Sequence, residues 1–151
     1  MAAVTWSVKV VPGQTSQAPR VSLALPDPLV NQLHMVYLGA SNKKIRHAVY
    51  AGDKWTAEGI IANQSSQAPP ALAALGNQLL MVYLGEHDQK IRHALFAGGN
   101  WTPKGIVKDQ AGQNEQSSQA PPALVALGNQ LHIVYIGEHD QKIRHAIGTI
   151  T

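Results

Sequence analysis

Tryptophan stands at positions 6, 55 and 101, tyrosine at 37, 83 and 135, and an Arg-His pair at 46–47, 92–93 and 144–145. An aromatic ring can stack on the apolar C–H face of a neutral ligand while imidazole and guanidinium groups hydrogen-bond its hydroxyls. Before the second and third Arg-His pairs lie the turns Glu86-His87-Asp88 and Glu138-His139-Asp140, where the first unit has Ala40-Ser41-Asn42. The candidate ligand-binding set is therefore Trp6, Trp55 and Trp101 for stacking, Arg46, Arg92, Arg144, His47, His93 and His145 as hydrogen-bonding groups, and Glu86 and Glu138 as acceptors. Trp6, Arg46 and His47 would make an odd site, because the turn of their unit carries no acid. Each residue type also has a purely structural role open to it. Tryptophan can wedge packed elements apart, and tyrosine in an apolar run reads as core. Histidine can be buried and hydrogen-bonded, and arginine can pair with an acid of the neighbouring turn.

Other chemistries fit less well. Seven histidines invite a metal, and His87 and His93 repeat their six-residue spacing at His139 and His145. That spacing is not a helical pair, and a turn residue and a strand residue diverge, so no metal site is expected. The chain has no cysteine, nucleophile elbow, HExxH or phosphate-binding loop. Threefold duplication of every candidate argues for several similar binding sites instead of one asymmetric catalytic centre, so neither enzyme activity nor a cofactor is expected. Twelve Lys and Arg against nine Asp and Glu give a net charge of +3. Lys44/Arg46, Lys90/Arg92 and Lys142/Arg144 would place one cationic pair in each unit, the alternative reading of a nucleic-acid or anion binder. Those charges are spread along the chain instead of gathered in a patch, so nucleic acid is the weaker expectation. A structural, toxin-associated assembly module is a third reading. No apolar run approaches a membrane span, and the N-terminus lacks the features of a secretory signal. A cytoplasmic protein, or one released without a signal, is the resulting expectation.

The elements that must position these residues are short β-strands. Residues 65–107 and 117–147 repeat almost letter for letter, and residues 16–61 carry a looser copy. In the middle unit, ALAAL (71–75), QLLMVYL (78–84), KIRHALF (90–96) and WTPKGIV (101–107) are β-type runs closed by Gly-containing turns. Four short strands in roughly 46 residues match one blade of a β-propeller. The inserted KDQAGQNEQ of the third unit is polar and reads as a surface loop. Blades are expected over about 16–61, 65–107 and 117–151, preceded by a closing strand over 4–11. That first strand is of the fourth type, and the third blade lacks its fourth strand. A β-trefoil also repeats three times, but these offset ends favour the propeller. Three blades are too few to close a ring. The expected architecture is all-β, with three four-stranded blades per chain and a six-bladed ring completed by a homodimer with exchanged N-terminal strands.

The pattern SQAP-x-ALA-x-LGNQLHMVYLG, KIRHA and GxxW resembles the repeat of propeller lectins of the Psathyrella velutina and Photorhabdus type. The resemblance covers essentially the whole chain. It implies glycan partners, with fucose- or N-acetylhexosamine-type residues bound multivalently in shallow pockets between blades. The chain departs from that family in having three blades instead of seven, and it lacks the Asp-rich loops that bind calcium in some members.

Overall fold

The computed structural model describes residues 3–5, 7–16, 22–24 and 31–150, with side chains of 22–24 excepted. The first sheet is the antiparallel meander β1 (Ser22–Ala24), β2 (Leu33–Leu38), β3 (Lys44–Ala51) and β4 (Lys54–Ser65). The second is β5 (Ala71–Leu75), β6 (Gln78–Leu84), β7 (Ile91–Ala97) and β8 (Asn100–Ile106). The third is β9 (Ala123–Leu127), β10 (Gln130–Ile136) and β11 (Ile143–Thr149). We refer to these sheets as blades one to three.

Local chemistry explains the meander. Gly52-Asp53 and Gly98-Gly99 join the third and fourth strands as two-residue loops, with φ of 55° and 63°, then 58° and 85°. Positive φ at both central residues gives the hairpin turn whose twist matches that of the strands. A second device lies across from the histidines. His47 pairs with Gly59 and His93 with Gly105, and each pairing is followed by a register shift. Gly59 and Gly105 have φ of 90° and 84°, a β-bulge conformation that a side chain strains.

Alternation along β2 and β3 gives each blade two apolar faces. One face of blade one carries Val36, Leu38 and Ile45, packed with Leu72, Leu79, Met81 and Tyr83 of blade two. The same face of blade two carries Val82, Leu84 and Ile91, packed with Leu131, Ile133 and Tyr135 of blade three. The core is therefore two layers between blades, and no blade has a core of its own. The recurring Gln-Ser-Ser segments strap these layers. The Ser66 N–H donates to Lys43 O of blade one at 3.0 Å, while Ser66 bridges to Gly85 of blade two. The Ser118 N–H repeats this on Gln89 O at 2.9 Å, with a bridge to Gly137. The hydroxyls of Tyr83 and Tyr135 donate to Gln64 and Gln116 of the preceding connections. The tyrosines are thus buried core, and the repeated SSQAP is a joint between blades.

The insertion is exposed as expected, and it is also ordered. The Asp109 carboxylate accepts from the Gln113 and Asn114 N–H groups at 2.9 and 3.2 Å. A Lys108–Glu115 bridge closes this small hairpin.

Blade three has three strands, so the outer edge of β11 has no paired strand among the described residues. The expected closing strand over 4–11 forms no strand at its described positions within the single chain, and Trp6 lies outside the described residues. Val8 and Val10 there are 92% and 89% exposed. A β-type segment takes strand form only where a neighbouring ladder accepts its N–H and C=O groups.

Replacing Gly105 by Ala should lower stability by about 1–2 kcal/mol, since Cβ is strained at that φ. Urea unfolding checks this, and an unchanged midpoint would show that the bulge tolerates a side chain.

Candidate functional site

His34 on β2 and His47 on β3 share one face of blade one, because His34 pairs with Val49 and His47 with Val36 across the ladder. Such diagonal neighbours lie within reach of each other's rings. Their rings stack at 5.1 Å and 19°, with Nδ1 of His34 and Nε2 of His47 2.9 Å apart. Across the junction, blade two presents Phe96 and Trp101, themselves 5.2 Å apart. The Trp101 indole meets His47 edge-on at 5.6 Å, and its Nε1–H donates to His47 Nδ1 at 3.3 Å.

That single contact orders both imidazoles. An indole nitrogen only donates, so His47 must accept at Nδ1 and carry its proton on Nε2. That proton is donated to Nδ1 of His34, which leaves His34 with its own proton on Nε2. The result is a directed chain of hydrogen bonds, Trp101 to His47 to His34. Burial pushes the His47 pKa down from 6.5 to about 4, helped by the neighbouring His34. Burial also lowers His34, against the opposing pull of the Glu58 carboxylate. Both rings are therefore neutral at neutral pH.

These residues line a cleft of about 610 Å³ between blades one and two. Glu58 and the bulge residue Gly59 flank it on the blade-one side, with Asn77, the Gly98-Gly99 turn and Asn100 on the other. The cleft offers aromatic faces, a carboxylate acceptor, amide groups and neutral imidazoles. That set suits a neutral ligand rich in hydroxyl groups.

The remaining candidates are distributed differently. Arg92 donates both guanidinium nitrogens to Asp88 at 2.6 and 2.9 Å, and Arg144 does the same to Asp140 at 2.8 Å each. Arg144 holds the Asp140 carboxyl down at about 2. Asn42 replaces the acid beside Arg46 and accepts from the Lys44 N–H at 3.2 Å. None of these arginines lines the cleft. Glu86 and Glu138 sit 3.9 and 3.6 Å from His87 and His139, at the same turns and again outside the cleft. A hydrogen bond from Ser65 is the main reason Glu86 is held below its ordinary range. His87 is solvent-facing while the Nδ1–H of His93 donates to Gly105 O at 3.1 Å, so the two six-apart histidines do different jobs.

Of the expected group Trp6, Arg46 and His47, Trp6 lies outside the described residues and Arg46 does not line the cleft. His47 is met by Trp101, because a blade face packs against the next unit and not its own. Sequence reasoning also missed His34, Glu58 and Phe96. His34 could have been found from strand alternation, as it shares a face with Val36. Glu58 gave no signal, since Lys104 occupies the same place in the next unit.

A second cleft of about 400 Å³ lies between blades two and three. His93 and Lys104 line it, but Leu80 replaces the first histidine and Gly148 replaces the aromatic. No hydrogen-bond chain of the first kind is built there.

No family model matches the chain, and no curated protein matches it significantly. Among solved structures, a fungal lectin from Aleuria aurantia, described as a six-bladed β-propeller with a novel fucose recognition mode, aligns with a TM-score of 0.68 at 20% identity, covering 97% of this chain and 50% of that one. This chain thus spans about half the length of that lectin. A fucose lectin from Kordia zhangzhouensis in complex with methyl-fucoside aligns at 0.65 and 13% identity, covering 87% of this chain and 94% of that one. A family 117 glycoside hydrolase from Zobellia galactanivorans aligns at 0.52 and 13% identity, over 84% of this chain and 52% of that one. The fold is that of a β-propeller, of which the chain forms three blades.

Acid should dismantle the Trp101–His47–His34 chain. A proton on Nδ1 of His47 turns the acceptor of the indole N–H into a second donor. Because the folded pKa lies below 6.5, the unfolded chain takes up that proton first, so stability falls as pH drops from 6.5 toward 4. Thermal melting between pH 7 and 4.5 should show a drop of several degrees that His47→Gln reduces. The Asp88 and Asp140 shifts act only below pH 4 and stay out of this window. A flat profile would show that the pair is not buried as neutral rings.

Proposed function

We propose that this protein is a non-catalytic carbohydrate-binding module that takes neutral sugars, of the fucose or N-acetylhexosamine type, in clefts between its blades. The observation that carries the reading is the cleft between blades one and two. There Trp101 and Phe96 supply apolar ring surface, and Glu58, Asn100 and the neutral His34 supply acceptors and donors for hydroxyl groups. Two fold relatives described as fucose lectins support it, as does the repeat resemblance to the Psathyrella velutina type.

A homodimer belongs to this reading, and the three-stranded third blade supports it. Two copies of three blades would close a six-bladed ring, each N-terminal segment adding a fourth strand beside β11 of its partner. Blade junctions recur around such a ring, so recognition would be multivalent. Single sites of about 10⁻³–10⁻⁴ M would gain roughly 10²–10⁴ in avidity on a glycan-covered surface.

The anion-binding reading is disfavoured by the arginine placement. Arg92 and Arg144 are each committed to an aspartate, which leaves less free positive charge for phosphate.

Titration with methyl-fucoside and with N-acetylglucosamine, followed by tryptophan fluorescence, should show saturable binding by at least one. Affinity should change less than about twofold between 50 and 200 mM salt, whereas phosphate binding would weaken steeply. Trp101→Ala should abolish the response, and Glu58→Gln should weaken it about tenfold, the size of one charge-assisted hydrogen bond. Light scattering should report about twice 16.2 kDa. A clean monomer would sink the ring, and silence toward a broad glycan array would sink the sugar reading.

A further inference from the structure

Blade three carries a second copy of the dihistidine arrangement. His132 and His145 stack at 5.1 Å and 17°, with Nδ1 of His132 and Nε2 of His145 2.8 Å apart. Those values reproduce the blade-one pair almost to the last digit, although the blade-one pair is buried and His145 is exposed. The difference is what lies opposite. Blade one is covered by blade two, while the matching face of blade three is bare among the described residues. Val134 and Ile143 are 43% and 78% exposed, where their blade-one equivalents Val36 and Ile45 are both 0%. His132 Nε2 is buried yet has no hydrogen-bond partner.

The complementary half-site is also preformed, at the other end of the chain. Tyr50 and Trp55 on blade one lie 5.4 Å apart at 50°, against 5.2 Å and 49° for Phe96 and Trp101 on blade two. They border a half-layer of Met35, Tyr37 and Ala48 that is itself buried, with Val11 of the N-terminal segment packed on it and no other blade over it among the described residues. The open face of blade three thus carries the histidines of the first cleft, and the face of blade one that no second blade covers carries its aromatics. Blade two lies between them, so a single chain does not bring these faces together.

We infer that His132 and His145 of one chain and Tyr50 and Trp55 of a second copy form a composite cleft that binds the same class of neutral sugar. This rests on the sugar reading above and assigns that reading a site neither chain holds alone. The Trp55 Nε1–H would donate to His145 Nδ1, as Trp101 donates to His47. His145 would pass its Nε2 proton to His132 Nδ1, and the His132 Nε2–H would then be the group offered to a ligand hydroxyl. Covering Val134, Ile143 and Ile147 removes apolar surface from water and so favours the junction. A second copy is the occupant because blade one is the element of this sequence that carries the matching aromatics on a face no second blade covers, and Val11 would leave that face when the N-terminal segment pairs with β11.

Trans-complementation tests this directly. Trp55→Phe keeps a ring and removes the N–H, and His145→Gln keeps a polar side chain of similar length. Native mass spectrometry with methyl-fucoside should show two fewer sugars on either homodimeric variant than on the unaltered dimer. A mixed W55F/H145Q dimer should regain one, because its two lesions fall in the same junction and leave the other junction whole. Separately and without sugar, the Trp55 indole N–H should be protected from exchange in the unaltered protein and lose at least tenfold of that protection in H145Q. A mixed dimer that binds no more than its parents overturns the inference, as does an indole N–H indifferent to H145Q. Sugar bound in numbers unchanged by both variants also overturns it while leaving the sugar reading intact. No sugar on any form, with the indole protection behaving as expected, overturns the sugar reading and with it the ligand assigned to the composite cleft.

Discussion

The packing of one blade face against the next is the constraint on which everything else depends. Val36, Leu38 and Ile45 are almost completely buried only because blade two lies over them, and Val82, Leu84 and Ile91 only because blade three does. Each blade is a thin sheet with apolar side chains on both faces and no interior. The stabilising layers exist between blades, and among the described residues Val134, Ile143 and Ile147 of blade three lie exposed with no further blade over them.

The same constraint places the candidate site. A cleft at a blade junction draws one wall from each of two units, and here the walls have different chemistry. Blade one supplies imidazoles and a carboxylate, while blade two supplies aromatic rings and a glycine-rich turn. The Trp101–His47 hydrogen bond joins them, and it serves packing and polarity together. It wedges the indole against the junction and sets the tautomers of both imidazoles. Trp101 therefore does not have to be either a wedge or a ligand contact; its N–H is spent on the wedge while part of its surface stays exposed.

Much of the scaffold was readable because strand chemistry is local. The runs 71–75 and 78–84 match β5 and β6 at both ends, and Gly76, which closes the first, sits at a φ of 59°. Of the two roles open to the arginines, ligand group or turn partner, Arg92 and Arg144 take the second, each held by the aspartate four residues earlier. That pairing is local as well, and Asp88 was visible beside Glu86; only the choice between the two acids was not. The repeat is imperfect at His34. Leu80 stands at its place in blade two, which made the position look like core instead of function.

By itself the sequence determined the number of blades, the strand order and the residues able to do chemistry, since periodicity and turn residues act over a few positions. Tertiary structure decided which of those residues meet. His47 and Trp101 are 54 positions apart, and nothing local links them; the relative orientation of two packed sheets does. The same orientation separates the arginines from the cleft and leaves His132 and His145 facing outward. Contacts between blades depend on which face covers which, and that is set by burying apolar area across the whole assembly rather than by any residue's neighbours in the chain.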